Sequence, residues 1–261
     1  MKKIEAVIFD WAGTTVDFGS TAPVQAFIEA FGKFGIAPTL EEVREPMGMP
    51  KWDHIHKMMQ MDRIAGEWEQ VHGSPWTRAD VDQVYKVSEE AIMEILPDFA
   101  GPKPYVTDTV KMLRGRGISI GSTTGYTSEM MGIVAPAAAA KGYEPDVYIT
   151  PDDVGGKGRP YPYMIFRNLE KLGVSSVAAA IKVGDTVADI KEGKNAGLIS
   201  VGIVEGSSVM GLTEEEYEAL PQEEKVTQQK NVTETYFRCG ADHVILNLSR
   251  LEELIDLIER R

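Results

Sequence analysis

The chain has 261 residues, 43% of them hydrophobic and 26% charged, a composition that excludes a disordered or fibrous protein. Its formal net charge of −13 repels nucleic-acid phosphates and anionic membranes, so a phosphate-bearing ligand must meet local positive charge. No run approaches the roughly 20 apolar residues of a membrane span. The first apolar run is too short for a signal peptide, and Cys239, the only cysteine, excludes an internal disulfide, so the expectation is a cytoplasmic protein with no nucleic-acid or membrane partner.

Lys3 to Phe9 reads as a short strand that ends on Asp10 and runs into a turn of small residues, Ala12-Gly13-Thr14. A carboxylate therefore stands at a strand's C-terminal end. Val24, Phe27, Ile28, Phe31 and Phe34 recur at helical spacing from Pro23 to Phe34, with Gly35 as a stop. Thr39 and Glu42 form a capping box for a short second helix, which Pro46-Met47-Gly48-Met49-Pro50 breaks. A helix from Lys51 to Met61 puts Lys51 and His54, three apart, on one face. Arg78 to Leu96 supplies a third long helical stretch before Pro97, Gly101, Pro102 and Pro104 punctuate the chain. Residues 19–99 thus read as a helical cap domain inserted into a core domain made of 1–18 and 100–261.

Beyond that punctuation helix and strand alternate. Val106 to Gly115, Thr127 to Lys141, Pro162 to Leu172 and Asp189 to Ala196 are helices; Ile118 to Gly121, Asp146 to Thr150, Ala179 to Val183 and Leu198 to Val204 are strands. Glu214 to Tyr236 makes one or two exposed acidic helices broken at Pro221, and His243 to Leu246 and Ser249 to Glu259 close the chain as strand and helix. The pattern predicts an α/β fold: a Rossmann-like parallel sheet core with helices on both faces and the α-helical cap inserted after the first strand.

Ligands of such sheets bind at the carboxyl ends of the strands. Asp10, Thr124, Arg159 in its loop, and Asp185 with Asp189 all fall there. Singly, a strand-end Asp or Thr is usually a helix N-cap. Together they suit phosphoryl transfer, in which a carboxylate attacks phosphorus once a cation has neutralised the opposing charges. Magnesium prefers oxygen ligands, which the carboxylates of Asp10 and Asp185 and the backbone carbonyl of Ala12 can supply. Asp189, one helical turn past Asp185, either orients a metal-bound water or caps its helix. The Thr124 hydroxyl and the Arg159 guanidinium can hold phosphoryl oxygens, with Lys157 competing for the second role.

In sequence order, Asp10-Trp11-Ala12-Gly13-Thr14-Thr15, Ser122-Thr123-Thr124-Gly125, Arg159-Pro160 and Gly184-Asp185-Thr186-Val187-Ala188-Asp189 resemble the four motifs of the haloacid dehalogenase superfamily. Most phosphatases of that superfamily carry a second Asp two residues after the nucleophile, to protonate the leaving oxygen. This chain has Ala12 there. The opening from Phe9 to Asp17, and the segment from Pro46 to His54, resemble the phosphonoacetaldehyde hydrolase family, which also has Ala at that position. The resemblance implies a magnesium-dependent hydrolase cleaving a carbon–phosphorus bond, with Asp10 as nucleophile and Thr124, Gly125 and Arg159 as the phosphoryl-binding set.

Carbon is a poor leaving group, and an imine between an amine and the substrate aldehyde gives the electrons somewhere to go. The resemblance assigns that amine to Lys51; from the residues themselves, His54 is read as relaying protons to it or orienting it, and Met47, Met49 and Trp52 as an apolar wall that lowers the amine's pKa. The resemblance further implies a homodimer acting on a small phosphonate. A phosphatase or phosphomutase of the same fold, acting on a small phosphate ester, and a non-enzymatic phosphometabolite-binding module are the alternatives. Phosphate release from phosphonoacetaldehyde beside a panel of phosphate esters separates them.

Overall fold

The computed structural model describes residues 3–46 and 51–260. The described chain divides into two compact units: the residues up to Ser20 with those from Ala100 onward, and Thr21–Phe99. The first break falls at Ser20 rather than after residue 18, because the Gly19 N–H bonds to the Gly206 carbonyl (2.9 Å) and the Ser20 N–H to Asp17 (2.9 Å).

The larger unit holds a six-stranded, wholly parallel sheet of β1 (Ala6–Phe9), β2 (Ser119–Thr123), β3 (Val147–Ile149), β4 (Ala180–Gly184), β5 (Ile199–Ile203) and β6 (His243–Ile245), in the order β3-β2-β1-β4-β5-β6. After β1 the chain builds one wing of the sheet and then crosses to build the other. The switch point, where a crevice opens at the strands' carboxyl ends, therefore lies between β1 and β4. Every residue of β1 and β4 is buried. Successive strand residues face opposite sides, so both faces must be covered by helices. On one face Ala6, Ile8 and Ala180 pack with Ile165 and Leu169, and with Ala196.

The elements of the smaller unit are helical: α1 (Ala22–Lys33), α2 (Leu40–Arg44), α3 (Lys51–Met59), α4 (Asp62–His72) and α5 (Arg78–Ile95). They enclose their own core of Phe27, Phe31, Val43, Ile55, Met58, Ile64, Trp68, Val81 and Val84. Thr39 and Glu42 form the expected reciprocal cap of α2. The sequence reading passed over α4, whose buried face is carried by Ile64 and Trp68.

In the larger unit the helices are α6 (Val106–Gly115), α7 (Ser128–Ala140), α8 (Tyr163–Leu172), α9 (Val187–Ala196), α10 (Glu214–Ala219), α11 (Gln222–Arg238) and α12 (Leu251–Glu259). Of these, α8 covers β1, β2 and β3 and α9 covers β4 and β5. Pro136 lies inside α7 without ending it.

Candidate active site

Beyond β1 the Asp10 N–H still bonds to the Val183 carbonyl (2.9 Å), so the carboxylate leaves the sheet beside the end of β4. The chain then turns tightly, the Trp11 carbonyl accepting the N–H groups of Thr15 (2.8 Å) and Val16 (3.2 Å). Gly13 sits at φ +84°, in the left-handed region, and a Cβ there would come within 2.2 Å of an Asp185 oxygen. Only glycine lets the two loops approach this closely. The Thr14 hydroxyl donates to Asp185 Oδ1 (2.7 Å) and lies 3.4 Å from Asp10 Oδ2, joining the two strand ends.

Asp185 follows β4 and is fully buried. Its Oδ2 accepts from the Ser208 N–H (2.7 Å) and the Ser208 hydroxyl (2.6 Å). One residue on, Thr186 and Asp189 form a reciprocal capping box that starts α9. Asp189 Oδ1 also pairs with Lys182 Nζ (3.0 Å) and Arg159 Nε (3.2 Å). Asp10, Asp185 and Asp189 each offer a carboxylate oxygen within 4.8 Å of the others.

Arg159 reaches across from its loop. It donates to Asp10 Oδ1, to the Thr123 carbonyl (2.8 Å) and to Glu192 (3.2 Å). Lys182, buried in the middle of β4, donates to Thr123 Oγ1 (2.7 Å) and pairs with Glu192 (3.2 Å) as well as Asp189. Arg159 and Lys182 thus pair with three buried carboxylates, those of Asp10, Asp189 and Glu192, while Asp185 is held by Thr14 and Ser208. The buried Lys103 ammonium, donating to the Gly13, Glu205 and Gly206 carbonyls, is a third cation close to Asp185, and the four carboxylates still outnumber the three cations.

That imbalance fits a divalent metal. Burial first, then the charges of Asp189 and Asp185, push the Asp10 carboxyl well above the usual carboxylate range, against the pull of Arg159 and Lys182. Burial also works against Asp189, yet Arg159, Lys182 and the Thr186 hydroxyl hold it below its ordinary value. Arg159 is held above its own by Asp10, Asp189 and Glu192, although burial opposes its charge. A hard cation with oxygen ligands would supply the missing positive charge beside Asp10.

The larger unit brings together Asp10, Arg159, Asp185 and Asp189. Asp189 caps α9 and at the same time pairs with the cations. Arg159, not Lys157, touches Asp10; the Lys157 ammonium lies over the Tyr163 ring, 5.6 Å from its centroid. Thr124 is buried at the end of β2, where its hydroxyl accepts the Tyr126 N–H (3.0 Å), and Gly125 beside it is exposed. Ala12 is half-buried in the turn after Asp10.

Lys51 and His54 belong to the smaller unit. Burial lowers the Lys51 amine from its usual pKa, with Glu89 opposing the shift. His54 is buried in the helical core, its ring stacked on Phe27 at 4.3 Å between centroids. Burial lowers its pKa to about 4, against a bond to the Val43 backbone carbonyl, so the ring is neutral. Trp52 is half-buried and donates to Asp82 (2.7 Å), while Met47 and Met49 lie outside the described residues.

Sequence reasoning missed Lys182, Glu192, Thr123, Thr14 and Ser208. Two of them left a signal. A lysine inside the apolar run Ala180-Ile181-Lys182-Val183 must find a buried partner, and Glu192 lies three residues beyond Asp189, on the same face of its helix.

A family model described as haloacid dehalogenase-like hydrolase matches residues 4–197. The phosphonoacetaldehyde hydrolase of Bacillus cereus is 49% identical over 259 residues, 99% of this chain and 98% of that protein. The bifunctional phosphonoacetaldehyde hydrolase/aminoethylphosphonate transaminase of Clostridioides difficile is 48% identical over 258 residues, which are 99% of this chain and 40% of that longer protein. Among solved structures, a phosphonoacetaldehyde hydrolase-like protein from Oleispira antarctica superposes with a TM-score of 0.87 at 36% identity, covering 99% of this chain and 93% of the other.

Proposed function

This chain belongs to the haloacid dehalogenase-like hydrolases and, among them, to the phosphonoacetaldehyde hydrolase family, and on that premise we propose that it converts phosphonoacetaldehyde to acetaldehyde and phosphate with magnesium. The observation that carries the reading is Asp10, buried at the switch point of the sheet, gripped by Arg159 and followed at the second position by Ala12 rather than an acid. A nucleophile is in place, and the group that would protonate a leaving alkoxide is missing.

In the proposed reaction the Lys51 amine, whose lowered pKa favours the unprotonated nucleophile, condenses with the aldehyde and releases water. Asp10 then attacks phosphorus. As the carbon–phosphorus bond breaks, its electron pair moves into the protonated imine, leaving an enamine on Lys51 and an acyl phosphate on Asp10. Protonation of the enamine carbon and hydrolysis release acetaldehyde and restore the amine. A second water cleaves the acyl phosphate, releasing phosphate and restoring Asp10.

Arg159 is suited to bind phosphoryl oxygens because it already bridges Asp10 and the Thr123 carbonyl, and Thr124 and Gly125 flank the same strand end. Asp10, Asp185 and the Ala12 carbonyl would hold magnesium, which supplies the positive charge that lets an anionic nucleophile approach an anionic phosphonate. Asp189, already engaged by Lys182, Arg159 and Thr186, supports that set from outside it. His54, neutral and packed on Phe27, orients the start of α3 rather than changing charge near neutral pH. A homodimer in the cytoplasm completes the reading, supported by the family resemblance and by a single cysteine.

The test is adduct trapping. Substrate or acetaldehyde with borohydride should inactivate the enzyme and add mass to the peptide bearing Lys51, and Lys51→Arg should release no phosphate, because a guanidinium with a pKa above about 12 offers no free base. Mass on another lysine, or turnover by Lys51→Arg, would return the phosphatase reading to the front.

A further inference from the structure

Between β5 and β6 the chain leaves the sheet for a long acidic excursion that includes α10 and α11, and nothing in the proposed chemistry uses it. Two of its side chains nevertheless close on one residue. Ser208 contacts Asp185 Oδ2 through both its N–H and its hydroxyl, while Thr14 donates to Oδ1. Donors on both oxygens fix the plane of the carboxylate and hence the direction of its remaining lone pairs.

Tyr236, at the far end of α11, is fully buried, and its hydroxyl donates to the backbone carbonyl of Asp185 (2.5 Å) with the Ile203 carbonyl at 3.0 Å. The ring seats directly on β5: a Cβ on Gly202 would come within 2.4 Å of it. The carboxylate of Asp185 is thus set from one end of the excursion and its backbone from the other.

We propose that the excursion between β5 and β6 is the aiming arm of the metal centre, with Ser208 and Tyr236 as positioning residues that turn Asp185 toward the ion. This rests on the reading of Asp185 as a magnesium ligand. Partners that orient a metal-binding carboxylate are worth about 10–100-fold in metal affinity, and Ser208→Ala, which keeps the N–H bond, should sit near the lower figure.

The experiment is calorimetric titration of magnesium into wild type, Asp185→Asn, Ser208→Ala, Ser208→Thr and Tyr236→Phe, with melting temperatures in chelator and kcat at saturating magnesium. Expected are no binding by Asp185→Asn, about tenfold weaker binding by Ser208→Ala and Tyr236→Phe, and recovery in Ser208→Thr, whose hydroxyl is retained. For Ser208→Ala, saturating magnesium should restore kcat, which a merely structural role would not produce, while the melting temperature in chelator should fall modestly because a buried carboxylate loses a donor. Wild-type affinity in both Ser208→Ala and Tyr236→Phe, beside a lost site in Asp185→Asn, would overturn the proposal and leave the metal reading standing. Unaltered binding by Asp185→Asn would overturn the metal reading and the proposal with it.

Discussion

His54 shows how a residue can stand where the sequence points and still behave differently from an exposed copy of itself. Its spacing from Lys51 is helical, but the ring is spent on stacking with Phe27 and on a bond to the Val43 carbonyl. Its folded pKa of about 4 lies below the unfolded value of about 6.5, so the unfolded chain binds more protons between the two. The neutral ring's stabilisation is complete above about pH 6.5 and is lost as pH falls toward 4, a change of about 3 kcal/mol at most. His54→Gln never ionises, so its urea midpoint should fall less steeply over that interval than that of wild type. Parallel profiles for the two proteins would show that the ring does not titrate with folding. At the same scale, Asp10, Arg159 and Asp185 were legible in the sequence because they occur together and in order within motifs that resemble those of the superfamily, although a strand-end Asp taken singly is usually only a helix cap. Ser208 was not, because a serine in a polar loop carries no such signal.

At the scale of elements, the N-terminus of α9 carries two tasks. Thr186 and Asp189 cap the helix reciprocally, and the same Asp189 faces Lys182 and Arg159. Thr186→Ala removes the hydroxyl that accepts the Asp189 N–H and should cost about 1 kcal/mol in denaturant unfolding. A loss within error of zero would mean that the ion pairs alone set this helix start. Most elements of the larger unit were readable because strands and helices alternate there with clear turn residues. The helix α4 was not, since Ile64 and Trp68 carry its apolar stripe on one side of an otherwise polar segment, and it ends only at Gly73 in the left-handed conformation. The acidic stretch read as one or two helices resolves into α10 and α11 on either side of Pro221, with Tyr217, Val232 and Tyr236 buried in a common cluster.

Over the whole molecule the charge balance makes a further prediction. A net charge of −13 surrounds a buried acidic cluster that is itself short of cations, so the metal-free fold carries electrostatic strain that magnesium should relieve. Magnesium at 100 times its dissociation constant should stabilise the protein by about 2.7 kcal/mol. Calorimetry should show that gain in wild type and none in Asp185→Asn, while excess chelator should abolish phosphate release. Turnover undiminished in chelator would refute the metal's part in the chemistry. The sequence alone determined the α/β class, the order of strands and helices along the chain, and the residue types at the strand ends, because these depend on local periodicity and on neighbours a few positions apart. Only the tertiary structure decided that β1 and β4 lie side by side at the switch point, and that Arg159 meets Asp10 across 149 residues and Thr14 meets Asp185 across 171. It likewise brought Lys182 to Glu192, and Ser208 and Tyr236 to Asp185. Those meetings follow from the lateral order of a parallel sheet, which the spacing of residues along the chain does not encode.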